Sequence, residues 1–293
     1  MGETKKEFMK YSIITCARNE EKYILKTLES VVNQTVLPTE WVILNDGSTD
    51  KTKSLIESYA SKYPWIIQVD LINFKPELIS TGGRVSHLLN IAKNKLKQDF
   101  DIVTKLDADT EFDSTFFENI ILEFLKDPSL GIASGQLVFE GIKEFHEIEN
   151  TEVRGAVMMI RKEVYTQIGG FFESKGRGSD TLFGVAARYY GWKAKTVFIC
   201  FNHLKPEGIK QSYFLAAKTT GFYKGSIPYR FDFFLITLIK HAFKKPYIIG
   251  SLIQLGAYIS SRYIIKYRPF PDLVRKQIHK EQIQRIKSIF RIK

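Results

Sequence analysis

Asp101 to Asp113 reads DIVTKLDADTEFD, a short run with Ile102, Val103 and Leu106 that ends in two acids separated by one small residue. The β-branched apolar members predict a buried strand. Asp107 and Asp109 stand at i and i+2, so a strand continued through them sends both carboxylates out on one face, and Ala108 keeps the space between them open. Two carboxylates converging at the end of a buried strand repel each other and are poorly solvated, so a cation or protons must relieve them. Mg2+ or Mn2+ held by one or two carboxylates, with phosphate oxygens completing the shell, does so. The plainer reading of the same tripeptide is a turn whose aspartates face water.

On the N-terminal side, strand and helix patterns alternate. Tyr11–Thr15 (YSIIT) is a strand, the polar loop CARNEE follows, and Leu25, Leu28, Val31 and Val32 fall on one face of a helix over Tyr23–Val32. Trp41–Leu44 (WVIL) is a second strand. It breaks at NDGSTDKT, where Asp46-Gly47 turns and Ser48, Thr49 or Asp50 caps the next helix. Ile66–Ile72 is a third strand, followed by an irregular stretch with Gly82-Gly83-Arg84 and a helix over His87–Leu96. Such alternation predicts an α/β domain with a mainly parallel sheet, whose loops at the strand C-terminal ends form the site. On the other side, Ile132–Phe139 and Arg154–Ile160 read as strands. Asp180 opens a helix over Thr181–Tyr190, and a strand over Thr196–Phe201 delivers Asn202 and His203.

Six stretches then occur in a telling order: ITCARNEEKYILKTLESVVNQT, VILNDGSTDKT, GGRVSHLLN, KLDADTEFD, RGAVMMIRKEV with GGF, and SDTLFGVAARYYGWK. Together they resemble family 2 of the nucleotide-sugar glycosyltransferases over about Tyr11 to His203. The resemblance implies a GT-A fold and a sugar-nucleotide donor, most commonly a uridine one, bound across the sheet edge. By the same resemblance Asp46 holds the base, while the CARNEE backbone (Cys16, Ala17, Arg18) and Glu20 line the nucleoside pocket. The usual pattern has Pro and Tyr where this chain has Cys16 and Arg18. Arg84 reaches ribose or phosphate. Asp109, with Asp107 and with Ala108 between them, holds Mn2+ or Mg2+ on the diphosphate, and His203 is a third ligand. Asp180 is the base that deprotonates the acceptor hydroxyl of an inverting reaction; Ser179 precedes it where the family has Glu. Nothing resembles the QxxRW element of processive synthases, so one sugar is added per encounter.

Each residue also has a plainer use: a helix cap for Asp180, a turn for Asp46, a solvated cation for Arg84 and a structural imidazole for His203. Two other functions are open to this fold class. A sugar-1-phosphate nucleotidylyltransferase would want a glycine-rich loop after the first strand, and CARNEE has none. A silent nucleotide-sugar-binding protein would not need acids at 107, 109 and 180.

Charge locates a second region. Of 43 Lys and Arg, thirteen lie at 240–293 beside two of the 32 Asp and Glu, so the rest of the chain balances and the net +11 resides in this last segment. A neutral catalytic body with a basic C-terminal appendage suits an anionic surface. Phe231–Phe243 and Tyr247–Ile265 are apolar and aromatic but interrupted by charge, and Asp272–Lys293 forms a basic amphipathic helix with Val274, Ile278, Ile283, Ile286, Ile289 and Phe290 on one side. The expected organisation is a catalytic domain at 1–205, with a nucleotide-binding half at about 8–128 and an acceptor half at about 129–205, then a helical basic segment at 206–293. Two cysteines and no N-terminal apolar stretch point to the cytoplasm, with peripheral contact at an anionic membrane face. The expected partners are a nucleotide-sugar donor and a cell-envelope or lipid-linked glycan acceptor. Without a stacking platform for bases, nucleic acid is not among them.

Overall fold

The computed structural model describes residues 9–71, 81–97, 99–138, 153, 155–173, 179–205, 212–264 and 271–290. Its centre is β1 (Tyr11–Ala17), β2 (Glu40–Asn45), β3 (Ile66–Asp70) and β4 (Ile102–Leu106), four parallel strands in the spatial order β3-β2-β1-β4. Helices α1 (Ile24–Val32), α2 (Thr52–Ala60) and α3 (Thr81–Lys93) make the crossovers. Side chains alternate between two cores: Ile13, Trp41 and Ile43 enter one, and Ile14, Val42 and Leu44 the other. Strands buried on both faces read as continuous apolar runs, which is why WVIL shows no alternation. Helix α1 buries Ile24, Thr27, Leu28 and Val31, the spacing of one helical face.

The chain leaves β1 toward β2 on one side and later returns to place β4 on the other. The loops after β1 and β4 therefore flank the crevice where the strand order reverses. Beyond β5 (Thr110–Phe112) and α4 (Phe116–Lys126), the second half is mixed: β7 (Val157–Arg161) is antiparallel to β4 and to β6 (Leu130–Val138). Strand β8 (Lys193–His203), reached through α5 (Lys162–Ile168) and α6 (Ser179–Tyr189), is parallel to β6 and antiparallel to β5.

Two local expectations are corrected. The strand ends at Leu106, so the two acids lie in a turn between β4 and β5 and do not alternate along a pleat. Gly82-Gly83-Arg84 is not irregular but falls in α3, which begins at Thr81. The calls on Ile72, Phe139, Arg154 and 265, on 206–211 and 291–293, and on the first eight residues lie outside the described residues.

The C-terminal helices are α7 (Tyr213–Ser226), α8 (Phe231–Ala242), α9 (Tyr247–Ile264) and α10 (Asp272–Phe290). Helices α7 and α9 meet backbone to backbone: a Cβ on Gly221 would lie 2.1 Å from the carbonyl oxygen of Gln254. Gly221→Ala is expected to destabilise the fold by about 1–3 kcal/mol through overpacking, because a helix carbonyl cannot give way as a side-chain tip can. Chemical denaturation of the variant checks this. Val274 and Ile278 of α10 pack on Leu182 and Val185 of α6, but Ile283, Ile289 and Phe290 are exposed, so only the first half of the anticipated apolar face is used.

Candidate active site

A buried hydroxyl shapes the Asp107–Asp109 turn. Thr27 Oγ1 of α1 lies 2.9 and 2.8 Å from the carbonyl oxygens of Ala108 and Thr110, which share its one proton, and accepts from the Thr110 N–H at 3.0 Å. The Asp107 N–H bonds the Ala156 carbonyl at 2.8 Å, which fixes the start of the turn against β7. The pairing of β5 with β8 then sets Thr110 opposite His203, and the Leu204 N–H bonds the Asp109 carbonyl at 2.7 Å.

That register brings an imidazole from far along the chain to the two acids. One ligand atom each from Asp107, Asp109 and His203 lies within 4.8 Å of the others. His203 Nδ1 is 3.0 Å from the Lys205 carbonyl, which can only accept, so Nδ1 carries a proton. Nε2, 3.5 Å from Asp109 Oδ1, is the ring nitrogen that faces the carboxylates. Burial pushes the Asp109 carboxyl up to about 6; His203 opposes this, and the charges of Asp107 and Glu20 add to it. Two oxygen donors and an imidazole nitrogen, short of positive charge, suit Mn2+ or Mg2+.

Lys105 gives the turn its other partner. It is 7 % exposed on β4, and its Nζ donates to Asp107 Oδ1 at 2.7 Å and to the Gly155 carbonyl. Burial lowers the affinity of this ammonium for its proton, but Asp107 and then Asp180 outweigh it and the net shift is upward. Asp180 lies in the first turn of α6, where its Oδ1 accepts from the Thr181 N–H at 2.9 Å. Its Oδ2 occupies the space beside Gly155, where a Cβ would come within 1.8 Å of it. Gly155→Ala is therefore expected to turn Asp180 out of place and reduce kcat by roughly a hundredfold while leaving nucleotide affinity near wild type, read from steady-state kinetics and calorimetry.

The loop after β2 carries Asp46, 5 % exposed, whose N–H bonds the Ala17 carbonyl at 2.9 Å. Arg84 from α3 grips it with both ends of its fork, Nε at 2.8 Å from Oδ2 and Nη2 at 2.5 Å from Oδ1. Arg18 Nη1, half exposed, is 3.6 Å from the same carboxylate. Arg84 thus orients Asp46 in this structure. Burial raises the pKa of the Cys16 thiol far above its usual value and keeps it neutral; it lies within electrostatic reach of Lys105, Asp107 and Asp46. Glu20 accepts from Lys205 Nζ at 2.7 Å on Oε1, joining the loops after β1 and β8, while its buried Oε2 has no partner among the described residues. An unsatisfied buried carboxylate oxygen is an acceptor awaiting a donor, such as a ligand hydroxyl.

Sequence reading missed Lys105, Lys205, Thr27 and Gly155. Lys105 had a visible signal, since a lysine inside an otherwise apolar strand is seldom buried without a paired acid.

The comparisons agree with this architecture. The solved mannosyltransferase PcManGT of Pyrobaculum calidifontis, in complex with GDP-Man and Mn2+, superposes with a TM-score of 0.61 at 16 % identity, over 98 % of this chain and 89 % of that one. S. aureus TarS gives 0.53 at 16 % identity, over 87 % and 44 %. These likenesses establish the GT-A fold: a mixed sheet flanked by helices, with further helices at the C-terminus. Among curated proteins, the minor teichoic acid biosynthesis protein GgaA of Bacillus subtilis is 25 % identical over 61 % of this chain and 41 % of its own length. The chondroitin synthase of Pasteurella multocida is 33 % identical over 41 % of this chain and 11 % of its own. The chain spans less than half the length of these curated relatives. The model of Glycosyl transferase family 2 matches residues 12–179, more than half of the chain, and the chain belongs to that family.

Proposed function

We propose that the protein is a metal-dependent, inverting, non-processive glycosyltransferase that moves a sugar from a nucleoside-diphosphate donor, a UDP-sugar first among candidates, to a hydroxyl of a cell-envelope or lipid-linked glycan. The observation that carries this reading is the convergence of one ligand atom each from Asp107, Asp109 and His203 within 4.8 Å at the crevice where the strand order reverses. These three residues would hold Mn2+ or Mg2+, which when bound offsets the charge of a departing diphosphate.

The chain's own groups supply the rest. Asp46, held by Arg84, accepts from the base, and Glu20 Oε2 accepts from a donor hydroxyl in the pocket lined by Cys16, Ala17 and Arg18. Asp180 takes the proton of the acceptor hydroxyl as its oxygen attacks the anomeric carbon from the face opposite the leaving diphosphate. Lys105 donates to Asp107 and lies within electrostatic reach of Asp180, so one buried ammonium serves both acids. In this account the half at about 8–128 binds the nucleotide and that at about 129–205 presents the acceptor.

The helices after 206 would rest against the cytoplasmic membrane face. None of the described helices is long and apolar enough to cross a membrane, yet α8 and α9 leave Phe231, Leu235, Ile239, Ile248 and Leu252 exposed. A donor screen tests the catalytic reading: UDP-, GDP- and dTDP-sugars incubated with enzyme and Mn2+, with release of the nucleoside diphosphate followed by a coupled assay. Turnover of one donor that chelation stops is expected. No turnover of any of them by folded protein, with or without added glycan acceptors, would contradict it.

A further inference from the structure

Far along the chain from the acids, the start of α8, the end of α9 and the first turns of α10 border an open cavity of about 510 Å³. Among the described residues, Arg230, Arg262 and Arg275 line it together with His279, and Asp232 is the carboxylate in that lining. Asp232 is engaged with Arg230, whose Nε is 3.0 Å from Oδ1. Arg262 donates to the Tyr229 carbonyl and lies 4.9 Å over the Tyr258 ring, and Arg275 has an aspartate, Asp272, only at 3.8 Å, with both side chains exposed. The imidazole of His279 bonds the Pro228 backbone; burial lowers its proton affinity, and Arg230 and Arg275 lower it further. Like charges drawn from three separate elements around one concavity form a receptor for an anion with several oxygens, a phosphate ester above all.

Its surroundings indicate which phosphate. Phe231, at the cavity wall, begins an exposed stripe that continues through Leu235 and Ile239 at four-residue spacing along α8. On α9, Ile248, Leu252, Ile259 and Tyr263 are likewise exposed, the last of them next to Arg262. The opposite faces of the same helices are packed together, with Phe234 and Tyr258 stacked at 4.1 Å. A charged cup at one end of two apolar stripes matches an amphiphile, head in the cup and chains along the stripes. We propose that this cavity binds the phosphate of an anionic phospholipid as α8 and α9 lie in the leaflet, which rests on the membrane contact proposed above.

Sedimentation of the full chain with phosphatidylcholine vesicles, with and without phosphatidylglycerol, tests it. The wild type should prefer the anionic vesicles, and Arg262→Gln with Arg275→Gln should weaken that binding roughly twenty-five-fold, about fivefold for each charge. Lys276→Gln with Lys280→Gln, exposed on α10 outside the lining, removes equal charge and should cost little. Equal losses in the two double variants would mean diffuse attraction and overturn the pocket. Equal binding of the wild type to both vesicle types would also overturn it while leaving the membrane contact standing, whereas binding to neither would remove both. A rise in Tm with soluble glycerol phosphate, lost in the arginine variant, without vesicle binding would assign the cup to a free phosphate ester and overturn the lipid proposal. Arg275→Gln alone, at a half-exposed side chain, guards against misfolding and should show the single fivefold loss.

Discussion

Asp180→Asn is expected to lower kcat by about 10²–10⁴-fold while nucleoside diphosphate binds as in the wild type. The substitution is nearly isosteric, and the amide oxygen can still accept from the Thr181 N–H, so the start of α6 is preserved. What it removes is the capacity to take a proton. It also takes one negative charge from Lys105, whose buried ammonium then depends on Asp107 and the Gly155 carbonyl alone. A modest fall in Tm is expected for that reason, and measuring it separates the catalytic loss from a structural one. If the variant turns over like the wild type, the acceptor proton goes elsewhere.

Asp109→Ala should abolish Mn2+ binding, read by paramagnetic resonance, with a loss larger than the 10–100-fold typical of an outer-shell partner. Turnover should vanish with it. The apoprotein should meanwhile unfold no more easily than the wild type at neutral pH. Asp109 is buried beside Asp107 and Glu20, and burial with like charge already pushes its carboxyl up to about 6. Deleting it removes an electrostatic cost, while the backbone bond from Leu204 to the carbonyl of residue 109 remains. Stability traded for function at a single acid distinguishes a binding site from a structural ion pair, whose loss would destabilise. A large drop in the Tm of the metal-free variant would mean that Asp109 serves the fold.

The parallel core was legible because buried strands such as YSIIT and WVIL announce themselves by composition, and the loop after each supplies the crevice. The DAD acids were legible for the same reason, although the feature that brings them together is a turn held by Thr27, which no local pattern encodes. Gly82-Gly83 argued against a helix on propensity, and the structure overrides that preference, placing Arg84 on α3 where it grips Asp46. His203 illustrates the harder class: its value depends on the register of β8 against β5, a pairing of segments some ninety residues apart in the chain. Lys105 was readable in principle from its burial-prone neighbours. Asp180 opens α6 and Gly155 lies in the turn before β7, and only the fold unites them with Lys105.

The central claim is a donor site built on Asp107, Asp109 and His203, and calorimetric titration of the purified protein with UDP, GDP and dTDP, in the presence and absence of Mn2+, tests it most directly. The account predicts that one nucleotide binds well and that its binding weakens sharply without the metal. Binding of no nucleotide by folded protein, or binding indifferent to the metal, would contradict it.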